Sequence, residues 1–247
     1  MRTLDITPGQ RVFILTGAGI SAESGIRTFR DANGLWEEHR VEDVASPEGF
    51  DRDPALVWRF YAARRAQALT VKPNPAHFAL AELERALGGP EGGRFFLCTQ
   101  NVDPLHEAAG SLDPLHMHGE LFRTRCSDPQ CSTLSFYDER HDFRELPRCA
   151  CGALQRPHIV WFGEIPFEMH TIKRRVQAAD LFVTIGSSGA VYPAAGLVGE
   201  MRYRRSQGEK VRTVYVGLER PENASAFDEV ILGKAGEVVP GLFNVCG

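Results

Sequence analysis

Three groups of residues in this sequence have the types and spacing to do chemistry. The first is Gly17-Ala18-Gly19-Ile20-Ser21-Ala22, directly after the apolar run 12–15. A strand that ends in G-x-G-x-x-A turns tightly into a helix whose last small residue lets it pack close. Such a turn commonly holds a dinucleotide pyrophosphate. The second group is polar residues that follow other apolar runs. These are Thr99-Gln100-Asn101-Val102-Asp103 after 94–98, His118-Gly119-Glu120 after 114–118, Gly186-Ser187-Ser188 after 181–185, and Gly217-Leu218-Glu219 after 212–216. Each alone reads as a turn or a helix cap. Together they put small, hydrogen-bonding or ionisable groups along one sheet edge, as a nucleotide spread across it requires. The third group is Cys126-x4-Cys131 and Cys149-x-Cys151, with 17 residues between the pairs.

The elements that must position these groups follow from hydrophobic patterning. Short, nearly continuous apolar runs recur at 11–16, 94–98, 181–185, 212–216 and 229–232, with a weaker one at 114–118. Their brevity predicts strands buried on both faces, as in a parallel sheet. Helical segments are expected between them at 53–69, 75–87, 103–110, 168–179 and 193–207. Asn74-Pro75 and Asp103-Pro104 read as an N-cap followed by proline at the first helical position. The alternation predicts an α/β fold, a Rossmann-like doubly wound parallel sheet. Residues 28–73 and 121–158 break the alternation and are read as insertions that form a smaller lobe. The expected organisation is one catalytic domain over 1–247. Its large lobe spans approximately 1–27, 74–120 and 159–247, and its small lobe has a helical module at 28–73 and a zinc module at 121–158. The cleft between the lobes is the natural site.

Composition narrows the function class. A hydrophobic share of 43% and a charged share of 24% are ordinary for a globular chain, and 247 residues suffice for a large core plus an accessory lobe. A net charge of −4 gives no reason to expect nucleic acid or an anionic membrane as partner. The first ten residues, MRTLDITPGQ, hold no apolar signal core, and no run approaches a membrane span. The expectation is a soluble, cytoplasmic monomer. Six cysteines in that compartment point to metal or free thiols rather than disulfides. The quartet Cys126, Cys131, Cys149 and Cys151 fits one tetrahedral zinc or a set of free or redox-active thiols. A small polar lobe needs a staple, which favours zinc, and four thiolates leave no open position, so the ion would be structural. Cys98 and Cys246 are read as bystanders.

GAGISAESGIRTFRDANGLW, TQNVDPLH, the following HGE, the cysteine quartet, VWFGE and IGSSGAVYPA stand in the order found in sirtuins. The chain resembles that family over nearly its whole length. Sirtuins are NAD-dependent protein-lysine deacylases with a Rossmann-type domain and a smaller zinc-bearing lobe. The resemblance implies NAD as co-substrate, one structural zinc and acylated lysine side chains of proteins as partners. It also accounts for an oddity after the glycine turn. A hydride-transfer site should bring a second strand ending in an acidic residue, whereas here TFRDANGLWEEHR follows. That segment looks like the family's mobile cofactor loop, a lid that closes over NAD before its nicotinamide–ribose bond is broken.

The resemblance assigns roles residue by residue. The amide oxygen of an acyl-lysine attacks the ribose C1′ as nicotinamide leaves. His118 then takes a proton from the ribose, and O-acyl-ADP-ribose is the second product. Imidazole suits a base that works near neutral pH; taken alone, His118 also reads as a structural hydrogen-bonder. His116 would share its face if the segment were extended, and the HGE match selects His118. Gln100 would contact the ribose near C1′, Asn101 would position water or ribose, and Asp103 with the Val102 backbone would hold the carboxamide. Gly17, Ala18, Gly19, Ser21 and Ala22 form the turn, and Phe29, Arg30 and Trp36 belong to the loop. Gly186, Ser187, Ser188, Gly217, Glu219 and Ala235 complete the cofactor side. Val160, Trp161, Phe162, Gly163 and Glu164 would pair with the substrate peptide as an added strand.

Tyr61 and Arg64 lie three apart on the helix expected at 53–69 and share a face. As bare residues they read as a solvated pair. The class III sirtuin branch carries Tyr-x-x-Arg here to bind an acyl carboxylate, which implies desuccinylase and demalonylase activity beside deacetylase activity. Three departures stand out: Pro104 where the family has glycine, Ser187 for threonine, and Gly217-Leu218-Glu219 for Asn-x-Glu, which removes a side chain expected at the adenosine ribose. Protein mono-ADP-ribosyl transfer and a non-catalytic NAD-sensing module are the rival functions. The joint presence of His118, Asn101 and Asp103 argues against the second.

Overall fold

The computed structural model describes residues 3–26, the backbone of 35–36, and residues 39–246. In chain order the strands are β1 Leu4–Ile6, β2 Val12–Thr16, β3 Leu35–Trp36, β4 His39–Arg40, β5 Phe95–Thr99, β6 Leu115–His116 and β7 Gly119–Cys126. They continue as β8 Phe136–Tyr137, β9 Gln155–Ile159, β10 Leu181–Ile185, β11 Arg212–Gly217, β12 Glu229–Leu232 and β13 Phe243–Val245.

The expected parallel sheet is present. Six strands run in the order β12-β11-β10-β2-β5-β6, and each neighbouring pair is parallel. VFILT of β2 and LFVTI of β10 are buried at every position, because both faces of the sheet are covered and no alternation with polar residues is needed. Alternate side chains go to opposite cores. Val12, Ile14 and Val183 join Leu80 and Leu83 of helix Pro75–Ala86 on one face. Phe13, Leu15 and Phe182 join Ile172 and Val176 of helix Met169–Ala178 and Met201 of helix Leu197–Ser206 on the other. Phe13 and Phe182 stack there with ring centroids 5.3 Å apart.

From β2 the chain builds outward through β5 and β6, then crosses back to β10 and continues through β11 and β12. The strand order therefore reverses between β2 and β10, which opens a crevice beyond their carboxyl ends. A third core joins helices Val41–Val44, Pro47–Arg52 and Pro54–Ala68 to the three-stranded sheet β8-β7-β9, with Val57, Trp58, Tyr61, Leu121, Phe122, Ile159 and Trp161 buried together. No helix among the described residues is long and apolar enough to cross a membrane.

Two expected elements are shorter than their patterns suggested. The helix read at 103–110 is only Leu105–Ala108. Pro104 sits at its cap rather than its first turn, while Asp103 Oδ1 accepts the Leu105 N–H at 3.2 Å. An aspartate that satisfies the backbone two residues on competes with helix continuation, and Gly110, at φ +94°, ends the segment. The run at 114–118 gives a strand only at Leu115–His116. After it Gly119 takes φ +87°, where a Cβ would lie 2.0 Å from the His158 carbonyl oxygen, so glycine is required at this turn.

One buried charge, absent from the sequence reading, docks the long helix on β7. Arg65 is fully buried and donates to the carbonyls of Leu121 and Arg140 at 2.8 Å and to Thr124 Oγ1 at 3.0 Å. It also pairs with Asp138 at 3.2 Å. Removing one partner of a buried pair leaves the other uncompensated. Arg65→Met is therefore expected to lower unfolding stability by roughly 3–5 kcal/mol in urea denaturation. A loss below about 1 kcal/mol, the range of an exposed pair, would contradict this role.

Candidate active site

The crevice is built by two turns pressed against each other. The Gly17 N–H donates to the Ile185 carbonyl at 2.9 Å and the Gly19 N–H to the Gly186 carbonyl at 2.8 Å. A Cβ on Gly19 would lie 2.7 Å from Gly186 Cα, so both turns depend on glycine for contact. The glycine motif thus packs the two halves of the sheet together as well as shaping a cradle. Ala18 is exposed at its lip, Ser21 is buried and Ala22 half-buried.

The polar residues after β5 thread into this contact. Gln100 donates its backbone N–H to the Thr16 carbonyl at 2.9 Å and its side-chain amide to Ser187 Oγ at 3.0 Å. Asn101 donates to Ser21 Oγ at 3.0 Å and to the Gly17 carbonyl at 3.2 Å. Asp103 is buried, and desolvation raises its pKa against the hydrogen bonds that favour its charge. The Val102 carbonyl accepts the Leu121 N–H at 2.8 Å, which ties this loop to β7.

The two histidines separate. His116 ends β6, with Nδ1 at 2.8 Å from the Asn101 carbonyl and Nε2 at 2.7 Å from Glu107 Oε1. Both partners accept, so the two contacts favour a proton on each ring nitrogen. Burial opposes that charge, but the Glu107 carboxylate outweighs it and raises the pKa. His118 lies beyond the strand, and its Nδ1 donates to the Gln100 carbonyl at 3.0 Å. That bond fixes the neutral tautomer with Nε2 as the basic nitrogen. Burial lowers the His118 pKa. The two rings therefore carry opposite protonation preferences, and only His118 is suited to accept a proton.

The structure brings together Gly17, Ser21, Gln100, Asn101, Asp103, His118, Gly186 and Ser187. Ser188 Oγ accepts the Ala190 N–H at 3.2 Å, in the turn that follows. Gly217 is buried at the end of β11, whereas Glu219 is exposed. Ala235 is buried and starts the short helix Ala235–Val238, and Gly236 donates to Glu23 Oε1 at 3.0 Å. Phe29, Arg30 and the side chain of Trp36 lie outside the described residues.

In the VWFGE segment the backbone donors are already used. The N–H groups of Val160, Trp161 and Phe162 donate to the His118 carbonyl, Glu164 Oε2 and the Ala45 carbonyl at 2.9, 2.8 and 3.0 Å. An added strand could not use them as donors. Glu164 turns inward to accept from Arg156 at 2.7 and 2.9 Å. The Arg156 guanidinium lies 3.4 Å from the Trp161 ring centroid. Gly163 and the half-exposed Phe162 form the outer rim of this turn. Tyr61 is fully buried and its Oη accepts the Trp161 indole N–H at 3.0 Å, so the long helix meets VWFGE directly. Arg64 is half-buried, with its guanidinium carbon 5.7 Å from the Phe60 ring centroid.

A family model described as the Sir2 family matches residues 17–193. An NAD-dependent protein deacylase of Pasteurella multocida is 50% identical over 240 residues, covering 95% of this chain and 97% of that protein. The chain belongs to the Sir2 family. A second NAD-dependent protein deacylase, from Caulobacter vibrioides, is 51% identical over 230 residues, covering 93% of this chain and 94% of that protein. Among solved structures, a Sir2 homolog–NAD complex matches with a TM-score of 0.82 and 40% identity, covering 93% of this chain and 86% of that one.

This Sir2-family chain also carries the expected metal centre. The Sγ atoms of Cys126, Cys131, Cys149 and Cys151 all lie within 4.8 Å of one another, with closest pairs at 3.5 and 3.7 Å. A zinc ion about 2.3 Å from four sulfurs needs sulfur–sulfur edges of about 3.8 Å, so the four thiolates fit one tetrahedral ion. Disulfides would need about 2.0 Å. Cys98 is buried in β5 and Cys246 is half-buried, both away from the cluster. Contacts the sequence reading missed include Asn74, whose side chain donates to the Ile20 carbonyl at 2.7 Å and to Ser24 Oγ at 3.0 Å, and the His116–Glu107 pair. Neither has a linear spacing that signals it.

Elemental analysis should find one zinc per chain. Cys131→Ser should lose it and make the β7–β9 lobe sensitive to protease. Cobalt substitution should give the intense thiolate charge-transfer bands of a tetrahedral site, and a wild-type chain without metal would refute the assignment.

Proposed function

We propose that this chain is an NAD-dependent protein-lysine deacylase that removes acetyl, succinyl and malonyl groups and releases nicotinamide and O-acyl-ADP-ribose. One observation carries the reading: His118, Gln100, Asn101 and Asp103 meet the Gly17–Ser21 turn and Ser187 at the β2/β10 switch point. NAD supplies the activated ribose carbon, and the protein residues bind, orient and move protons around it. The glycine turn receives the pyrophosphate, Ser187 and its neighbours the adenosine half, and Asp103 the carboxamide. Asn101 and Gln100 orient the ribose, and Nε2 of His118 accepts its hydroxyl proton. In this reading a large lobe carries the glycine turn and a small lobe carries the cysteine quartet. Acylated proteins are the substrates.

Mass spectrometry of reactions with NAD and acetyl- or succinyl-lysine peptides tests this. Wild type should form nicotinamide and O-acyl-ADP-ribose only when acylated peptide is present. His118→Ala should slow turnover by about 10²–10⁴-fold. A base must be neutral, and burial lowers the His118 pKa, so the acidic fall in kcat/KM should lie below about pH 6.5. Peptide turnover without nicotinamide release would rule the reaction out. Transfer of ADP-ribose onto protein would favour the mono-ADP-ribosyltransferase reading, and NAD binding without turnover the sensing module.

The carboxylate specificity rests on Tyr61 and Arg64. Burial raises the Tyr61 pKa and keeps its hydroxyl protonated. Arg64, one turn on, supplies the charge that an acyl carboxylate requires. Arg64→Met should lower desuccinylation kcat/KM by about 10- to 100-fold, the worth of a charge-assisted hydrogen bond, and deacetylation much less. Equal losses on both peptides would sink the assignment.

A further inference from the structure

The departure at Gly217 is filled by another residue. Tyr215 lies two residues earlier on the same strand face, almost fully buried between Thr184 of β10 and Val230 of β12. A Cβ on Gly217 would lie 2.3 Å from the Tyr215 hydroxyl oxygen and 2.8 Å from its ring carbon Cζ. The phenol therefore occupies the space in which any side chain at 217 would begin. Its hydroxyl donates to the Ser187 carbonyl at 3.0 Å, and its ring packs on Phe227 with centroids 5.6 Å apart.

Ser187 is the hub of that contact. Its Oγ accepts from Gln100, whose carbonyl in turn accepts from His118. Three hydrogen bonds thus link β11 to the proposed base through the bodies of Ser187 and Gln100, each of which bonds with its backbone on one side and its side chain on the other. We infer that Tyr215 is a positioning residue for the adenosine side of the NAD site, holding the Gly186–Ser188 turn from behind in place of a side chain at 217. The inference rests on the reading of that turn as part of the NAD site. Tyr215 and Gly217 then act as a unit: a larger residue at 217 is compatible only with a smaller one at 215.

Isothermal titration with ADP-ribose, beside steady-state kinetics, tests this. Tyr215→Phe keeps the ring and removes the hydroxyl. It should raise the ADP-ribose Kd and the KM for NAD by about 3- to 10-fold, the worth of one hydrogen bond, with kcat at saturating NAD within about twofold. Gly217→Asn should weaken ADP-ribose binding in the wild-type background and cost little further in the Tyr215→Val background. A Tyr215→Phe protein with lower Tm but unchanged Kd and KM would overturn the inference, because the hydroxyl would then be merely structural. Additive losses in Gly217→Asn and Tyr215→Val would overturn the coupling. Failure of wild type to bind ADP-ribose would overturn the NAD-site reading itself and this inference with it.

Discussion

The rest of this structure depends on how closely two backbone turns approach at the centre of the sheet. The Gly17–Gly19 turn after β2 and the Gly186–Ser187 turn after β10 touch without a Cβ between them, and each donates or accepts a backbone hydrogen bond with the other half. Parallel strands must lie side by side at fixed spacing. The loops that leave their carboxyl ends at a switch point therefore diverge and leave a crevice. Bulk at either turn would separate the halves and widen that crevice. Gln100 and Asn101 use the same contact, bonding to Ser187 on one side and to Ser21 and Gly17 on the other.

Two buried arginines attach the smaller elements to this frame. Arg65 bonds the long helix to β7 and Asp138. Arg156, paired with Glu164 and laid on Trp161, closes the VWFGE turn. Charges so placed are held by several hydrogen bonds at once, which makes them orienting rather than merely attractive. The consequence reaches the site through Trp161, whose indole meets Tyr61, and through Val160, whose N–H bonds to the His118 carbonyl. The VWFGE turn, the long helix that carries Tyr61 and the His118 segment are thus joined by direct hydrogen bonds.

The histidines show how environment assigns chemistry to identical side chains. His116 meets two acceptors, one of them a carboxylate, and is pushed towards the charged form. His118 meets one carbonyl in a desolvated place and is pushed towards the neutral form. Residue type and alternation alone put both on one face. The end of β6 at His116 and the left-handed turn at Gly119 separate them.

Much of the fold was legible because it rests on local patterning. Five of the six central strands match short apolar runs that need no partner to be recognised, and Asn74-Pro75 caps its helix as expected, whereas Pro104 stands at the cap of its short helix rather than at the first helical position. The cysteine quartet was legible because thiolates have few other uses at that density. The helix after Asp103 is shorter than its pattern predicts because a side chain–backbone bond over two residues outweighs periodicity. Residue types and motif order by themselves determined the family and the cysteine quartet that fits zinc, and they pointed to the strand ends and the His118 base proposed above. Only the tertiary structure decided that Gly19 is needed for contact between sheet halves, that Arg65 is a buried tether, that Glu164 faces inward, and that Tyr215 fills the space of Gly217. Each of these depends on atoms brought within hydrogen-bond or van der Waals distance by strand pairing and packing. Such distances are set by the whole sheet and have no period along the chain.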